Sequence, residues 1–309
     1  MSEIEKFTTS KALNTAVLFL VFNRLDVTKQ VFEAIREARP PRLYIAADGA
    51  REDKNGEAEK VKDVRSLIMK NIDWACDVKT LFREDNLGCK MAVSGAIDWF
   101  FENEEQGIIL EDDCLPSQSF FWFCEDLLVR YKNDMRVGQI SGDNFQKGIR
   151  RGEADYYFST YNHIWGWASW ANRWEKYDVN LDTIKNSHFI EVLFDNKKTI
   201  NYWKEIFFTM KKKSIDTWDY QWTFTLWNND QLTILPNVNL IQNIGFGKNA
   251  THTIIESEFS NLHAGEILLN SYLTKIKRHY EADLLTSRQM FNHKSIFERI
   301  INKLKRIFL

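Results

Sequence analysis

Between residues 15 and 110, short apolar runs alternate with helix-forming stretches, and this rhythm leaves few folds open. TAVLFLVF (15–22), LYIAA (43–47), VKTLF (78–82) and GIIL (107–110) read as strands, rich in β-branched and aromatic residues. VTKQVFEAIREA, EAEKVKDVRSLIMKN and KMAVSGAIDWFFEN read as the helices between them. A strand that returns to its sheet through a helix lies parallel to its predecessor, so the predicted fold class is α/β, a Rossmann-like, mostly parallel sheet flanked by helices. After residue 135 the pattern loosens into VGQISGDN, an aromatic block YYFSTYNHIWGWASWANRW, and a helical region from about 182 to 213. That half is expected to be irregular and to shape a pocket. No repeat, no GxGxxG and no P-loop signature is present, so the phosphate cradles of dinucleotide-binding and P-loop folds are lacking.

Composition narrows the function classes. A formal net charge of -2 gives no overall field for nucleic acid, so no nucleic-acid partner is expected. The four cysteines Cys76, Cys89, Cys114 and Cys124 form no CxxC pair and read as reduced thiols of a cytoplasmic protein. The polar, mixed-charge N-terminus lacks the apolar segment of a secretory signal. No stretch approaches the roughly 20 apolar residues of a membrane-spanning helix. Eleven tryptophans, set against four prolines, supply flat faces that suit sugar rings and equally suit a core.

In a parallel sheet, ligands sit beyond the carboxyl ends of the strands. Asn23, Arg24, Asp48 and the run Glu111-Asp112-Asp113 all follow strands there. Three consecutive acids raise one another's pKa unless a cation or solvent relieves them, and a hard divalent ion such as Mn²⁺ or Mg²⁺ does so while bridging to a diphosphate. The competing reading is that the acids cap the helix suggested by PSQSFFWFCEDLL. Arg24 could pair with phosphate or lie solvated in its loop, and Asp48 before Gly49 could hold ribose hydroxyls or only form a turn.

The ordered motifs VFNR (21–24), the strand ending in Asp48, DNLG (85–88), IILEDD (108–113), GWASW (166–170), WDYQW (218–222) and NIGFGKNATHT (243–253) cover most of residues 15–255. In this order they resemble the GT-A glycosyltransferases, and within them bacterial relatives of the eukaryotic N-acetylglucosaminyltransferase I. The length and pattern lead us to expect one catalytic domain over 1–270 with a helical tail at 271–309. The resemblance implies an inverting transfer of a hexosyl or N-acetylhexosaminyl group from a nucleotide-diphosphate sugar, a UDP-sugar in the first instance, to a hydroxyl of a growing surface glycan, which the basic C-terminal face at 294–309 would allow to be lipid-linked. Asn23, Arg24, Asp48, Asn86, Glu111 and Asp112 would then hold the donor, and Asp113 and His252 the metal.

An inverting transfer needs a base for the acceptor hydroxyl. The resemblance places it in the WDYQW segment. Asp219, framed by Trp218 and Trp222, is the candidate there, and Asp216, three residues earlier, is the runner-up. Asp219 could instead cap the helix suggested by YQWTFTLWNN. Trp165 and Trp167 could floor a sugar pocket or pack beneath it, and Asp143-Asn144 could contact sugar or acceptor or form a turn. Two other readings stand beside the transferase. A sugar nucleotidyltransferase would need a Gly-rich basic loop where VFNRLD stands, and a non-catalytic carbohydrate-binding protein would make the acids incidental. At 294–309, a face of Ile296, Phe297, Ile300, Ile301, Leu304, Ile307 and Phe308 lies opposite Lys294, Arg299, Lys303, Lys305 and Arg306. This predicts an amphipathic helix that either packs on the domain or rests on the inner face of an anionic membrane.

Overall fold

The computed structural model describes residues 7–184, 188–212, 215–245 and 262–291. The first half runs β1 (Ala16–Val21), α1 (Leu25–Ala38), β2 (Arg42–Ala47), α2 (Glu57–Asn71), β3 (Asp77–Phe82), α3 (Gly88–Phe101) and β4 (Gln106–Glu111). The chain continues through β5 (Cys114–Pro116), α4 (Gln118–Tyr131), β6 (Val137–Ser141), β7 (Tyr156–Ser159), β8 (Trp167–Trp170) and α5 (Ala171–Trp174). It ends with α6 (His188–Leu193), α7 (Lys197–Lys211), α8 (Asp219–Asn228), β9 (Leu232–Pro236), β10 (Ile241–Asn243) and α9 (Tyr280–Met290).

Eight strands form one sheet in the order β3-β2-β1-β4-β8-β6-β9-β7. The β1–β2, β1–β4, β2–β3 and β6–β9 pairs are parallel. The α/β architecture with a mostly parallel sheet between helices is therefore present. β8 enters antiparallel to both β4 and β6, and β7 antiparallel to β9 closes the far edge. Side chains of β1 divide between two cores as the pleat requires: Val17, Phe19 and Val21 on one face, Ala16, Leu18 and Leu20 on the other. Helices α1, α2 and α4 cover the first face through Val31, Phe32, Ile35, Val64, Ile68 and Leu127. On the second, α3, α7 and α8 bring Ile97, Phe100, Trp203, Phe207, Trp222 and Trp227. Both faces of β1, β2 and β4 are thus sealed, which explains why they read as near-continuous apolar runs.

Aromatic residues of the irregular half form much of the second core. Trp167 stacks on Trp218 at 5.7 Å and 23°, and Trp174 on Tyr177 at 4.3 Å and 10°. All four cysteines are free thiols. Helix α9 lies against β7, so residues 280–290 pack on the sheet. Residues 294–309, where the amphipathic helix is expected, lie outside the described residues. No helix among the described residues is long and apolar enough to cross a membrane.

Candidate active site

Because β1, β2 and β4 are parallel neighbours, their carboxyl ends open at one edge, and a cleft of about 620 Å³ lies there. That volume falls within the roughly 300–1,000 Å³ of small-molecule sites. Phe22, Arg24, Asp48 and Asn86 line one wall, Glu111, Asp112 and Asp113 the floor at the end of β4, and Trp165, Asp216, Thr217 and Asp219 a second wall that meets the first through Asp216.

The acids end β4. Glu111 is its last residue, and chain reversal into β5 keeps Asp112 and Asp113 beside it. Arg24 precedes α1, where its carbonyl accepts from the Thr28 amide at 3.1 Å and from the Thr28 hydroxyl at 2.6 Å. Its guanidinium reaches across the floor to pair with Asp112 and, at 2.9 Å, with Asp113 Oδ2. Burial pushes the Glu111 carboxyl well above the usual range, and the charges of Asp113 and Asp112 push it further while Arg24 opposes them. For Asp112, burial again raises the pKa and Arg24 draws it back. Asp112 Oδ2 is buried without a hydrogen-bond partner. Crowded oxygens in deficit of positive charge suit a hard divalent cation such as Mn²⁺ or Mg²⁺. Among the described residues, no three His, Cys, Asp or Glu side chains form a ready cage. Such an ion could be held here by one or two carboxylates, Asp112 and Asp113, with water or phosphate completing its shell.

On the first wall, Asp48 accepts from the Leu87 amide at 3.1 and 3.0 Å and from the Gly88 amide at 3.1 Å, tying the end of β2 to the start of α3. Asn86 donates to the Gly49 carbonyl at 2.7 Å and fixes the same turn. On the second wall, Asp219 opens α8, and the Thr217 hydroxyl donates to its Oδ1. Asp216 instead spends its oxygens on the amides of Cys89 (2.9 Å) and Lys90 (2.8 Å). Burial and then the surrounding acids push the Cys89 thiol up to about 12, which favours its protonated form at neutral pH.

Several expected residues stand elsewhere. Asn23 turns from the cleft and donates to Glu57 Oε1 at 2.8 Å. Trp167 is wholly buried among Trp174, Trp218 and Trp222, because β8 directs it into the second core. Asp143 and Asn144 lie behind the wall. Asp143 accepts from the Trp165 amide at 3.1 Å, and Asn144 donates to the Pro236 carbonyl at 2.6 Å and accepts from the Gln146 amide at 2.8 Å. The two residues hold loops and do not line the cleft. His252 lies outside the described residues. The chain leading toward it leaves from the cleft floor, where β10 pairs with β5 and the Ile244 amide donates to the Asp113 carbonyl at 2.8 Å. Sequence reasoning passed over Phe22, Arg51, Cys89, Ile164 and Thr217, all of which line the cleft. Thr217 carried a usable signal, a hydroxyl two residues before a candidate base. Arg51, in a charged loop and 5.6 Å from the Phe22 ring, carried none.

No family model matches the chain, and no curated protein matches it. Among solved structures the chain is similar to HddC from Yersinia pseudotuberculosis, at 13% identity over 53% of this chain and 80% of that one, with a TM-score of 0.32. It is also similar to apo UDP-glucose pyrophosphorylase, at 11% identity over 74% of this chain and 93% of that one, TM-score 0.35. A third is the glycosyltransferase GlyE of Streptococcus pneumoniae TIGR4, at 11% identity over 72% of this chain and 45% of that one, TM-score 0.34. At these TM-scores the likeness says nothing about what this chain does.

Proposed function

We propose that this protein is a metal-dependent, inverting glycosyltransferase of the GT-A type that moves a sugar from a UDP-sugar to a hydroxyl of a glycan. The observation that carries the reading is the cleft itself. Three acids, Arg24 and Asp48 meet at the ends of parallel strands, and an independent carboxylate, Asp219, faces them from a different part of the chain. Binding and proton transfer in such a reaction need two separately placed sets of groups.

Asp48 and Asn86 would hold the nucleoside side of the donor, with Arg24 near the diphosphate. The Asp112 and Asp113 carboxylates, together with His252, would hold a Mn²⁺ or Mg²⁺ ion, which when bound offsets the charge of the departing diphosphate. Arg24 already pairs with both carboxylates, so it has to share them with the ion. Trp165 would offer an aromatic surface to a sugar ring. Asp219 would take the proton of the acceptor hydroxyl, its carboxylate held in place by Thr217 Oγ1.

Calorimetric titration with UDP, with and without Mn²⁺, tests the binding half. Metal-dependent binding is expected, and a non-catalytic carbohydrate-binding protein would give none. For the chemical half, Asp219→Asn is expected to keep UDP affinity and lower turnover by about 10² to 10⁴. Unchanged turnover in a panel of nucleotide sugars would remove Asp219 from its role.

A further inference from the structure

We propose that Asp216 is a positioning residue that fastens the loop bearing Asp219 to the first turn of α3, so that the donor wall and the base wall are held as one body. The proposal rests on the transferase reading for what the fastening achieves, but not for its existence.

A helix begins with amides that have no partner inside it, and a carboxylate satisfies them with help from the helix dipole. At α3 this duty is divided between two distant segments. Asp48, from the end of β2, takes the amides of Leu87 and Gly88, and Asp216, from the loop before α8, takes those of Cys89 and Lys90. Four consecutive amides therefore link the donor wall to the loop before α8. Gly88 has a φ of +77°, and a side chain there would bring its Cβ to 2.8 Å from Asp216 Oδ2. Glycine meets both demands, the left-handed backbone and the close approach of the carboxylate.

From Asp216 the path to Asp219 is short and anchored. Trp218 is buried against Trp167 and Trp174, and its carbonyl accepts from Tyr177 Oη at 3.0 Å. Thr217 Oγ1 then bonds the Asp219 carboxylate. With each oxygen of Asp216 engaged by an amide, the two acids of this loop divide the work: Asp216 holds the loop and Asp219 faces the cleft.

The test combines amide hydrogen exchange with steady-state kinetics on the full chain, comparing wild type, Asp216→Ala and Asp216→Asn. Asp216→Ala is expected to raise exchange about tenfold or more in both residues 87–91 and 215–220, with the central strands unchanged. Asn keeps one acceptor oxygen and is expected to fall between. With a UDP-sugar and Mn²⁺, kcat is expected to drop about tenfold while UDP affinity holds, a split that general loosening would not give. Exchange that rises in one segment alone, or in neither, overturns the fastening. Both segments loosening with kcat unchanged overturns the positioning role. Because exchange is read without substrate, a wild type that turns over no nucleotide sugar would sink the transferase reading, while paired loosening would still support the fastening.

Discussion

Asp143 is a carboxylic acid with no solvent to receive its charge. It is fully buried, Oδ2 accepts from the Trp165 amide and the Ser141 hydroxyl, and Oδ1 has no partner. Burial holds its pKa well above the ordinary value of 3.8. Below that value the carboxyl is protonated whether the chain is folded or not, and its pH-linked penalty is absent. As pH rises, the unfolded chain ionises first and stability is lost. Asp143→Asn is nearly isosteric and keeps an acceptor for the Trp165 amide, so it is expected to raise Tm at pH 8 and to lose that advantage near pH 4. Calorimetry at the two values checks this, and a gap independent of pH would refute it. On the proposed reading, Asp113→Asn should weaken Mn²⁺-dependent UDP binding by more than the roughly tenfold that 1.4 kcal/mol represents. An unchanged affinity in a folded variant removes Asp113 from the metal site.

At the scale of elements, β4 and α3 meet through a missing side chain. A Cβ on Gly107 would run into Phe100, with Cε1 at 2.6 Å and the Ala16 carbonyl at 3.1 Å. Gly107→Ala is therefore expected to cost about 1–3 kcal/mol. Phe100→Leu in the same chain should recover part of it, a non-additivity readable in urea unfolding. Strict additivity would show that the ring does not enforce the glycine. β1, β2 and β4 were legible because a strand buried on both faces is an apolar run whatever its neighbours do, and the half-exposed edge strand β3 because VKTLF lies between two helical patterns. β7 and β8 were not. Their letters, YYFS and WASW, sit in an aromatic block where strand, loop and core residues share one composition. The same block hid Trp167, whose direction follows from pairing with Ile109 and Ser141, contacts that no local pattern records. The site was legible where it follows a strand end, as at Arg24, Asp48 and Glu111. It was not legible which of two nearby acids the α3 amides capture, Asp216 rather than Asp219.

Across the whole molecule, the far edge of the sheet is closed from the chain's last described helix. The His279 amide donates to the Phe158 carbonyl at 2.7 Å, and Asp283 on α9 accepts from Ser159 Oγ, the Thr160 amide at 3.1 Å and Arg278. Removing one partner of a buried ion pair costs roughly 3–5 kcal/mol, and access of Arg278 to solvent trims that figure. Asp283→Ala is accordingly expected to destabilise the whole fold measurably and to speed proteolysis at α9, since β7 would be left as an open edge. Proteolysis unchanged from wild type would place the closure of that edge in other contacts. The insertion of β8 between β4 and β6 has a different kind of consequence, one of time. As the chain leaves the ribosome, β1 to β4 can assemble in order from neighbouring segments, yet β6 at 137–141 has no strand to pair with until residues 167–170 arrive, and β9 follows only after 232. The second half of the sheet must therefore close late and through long loops, with its apolar strands exposed to other chains in the interval.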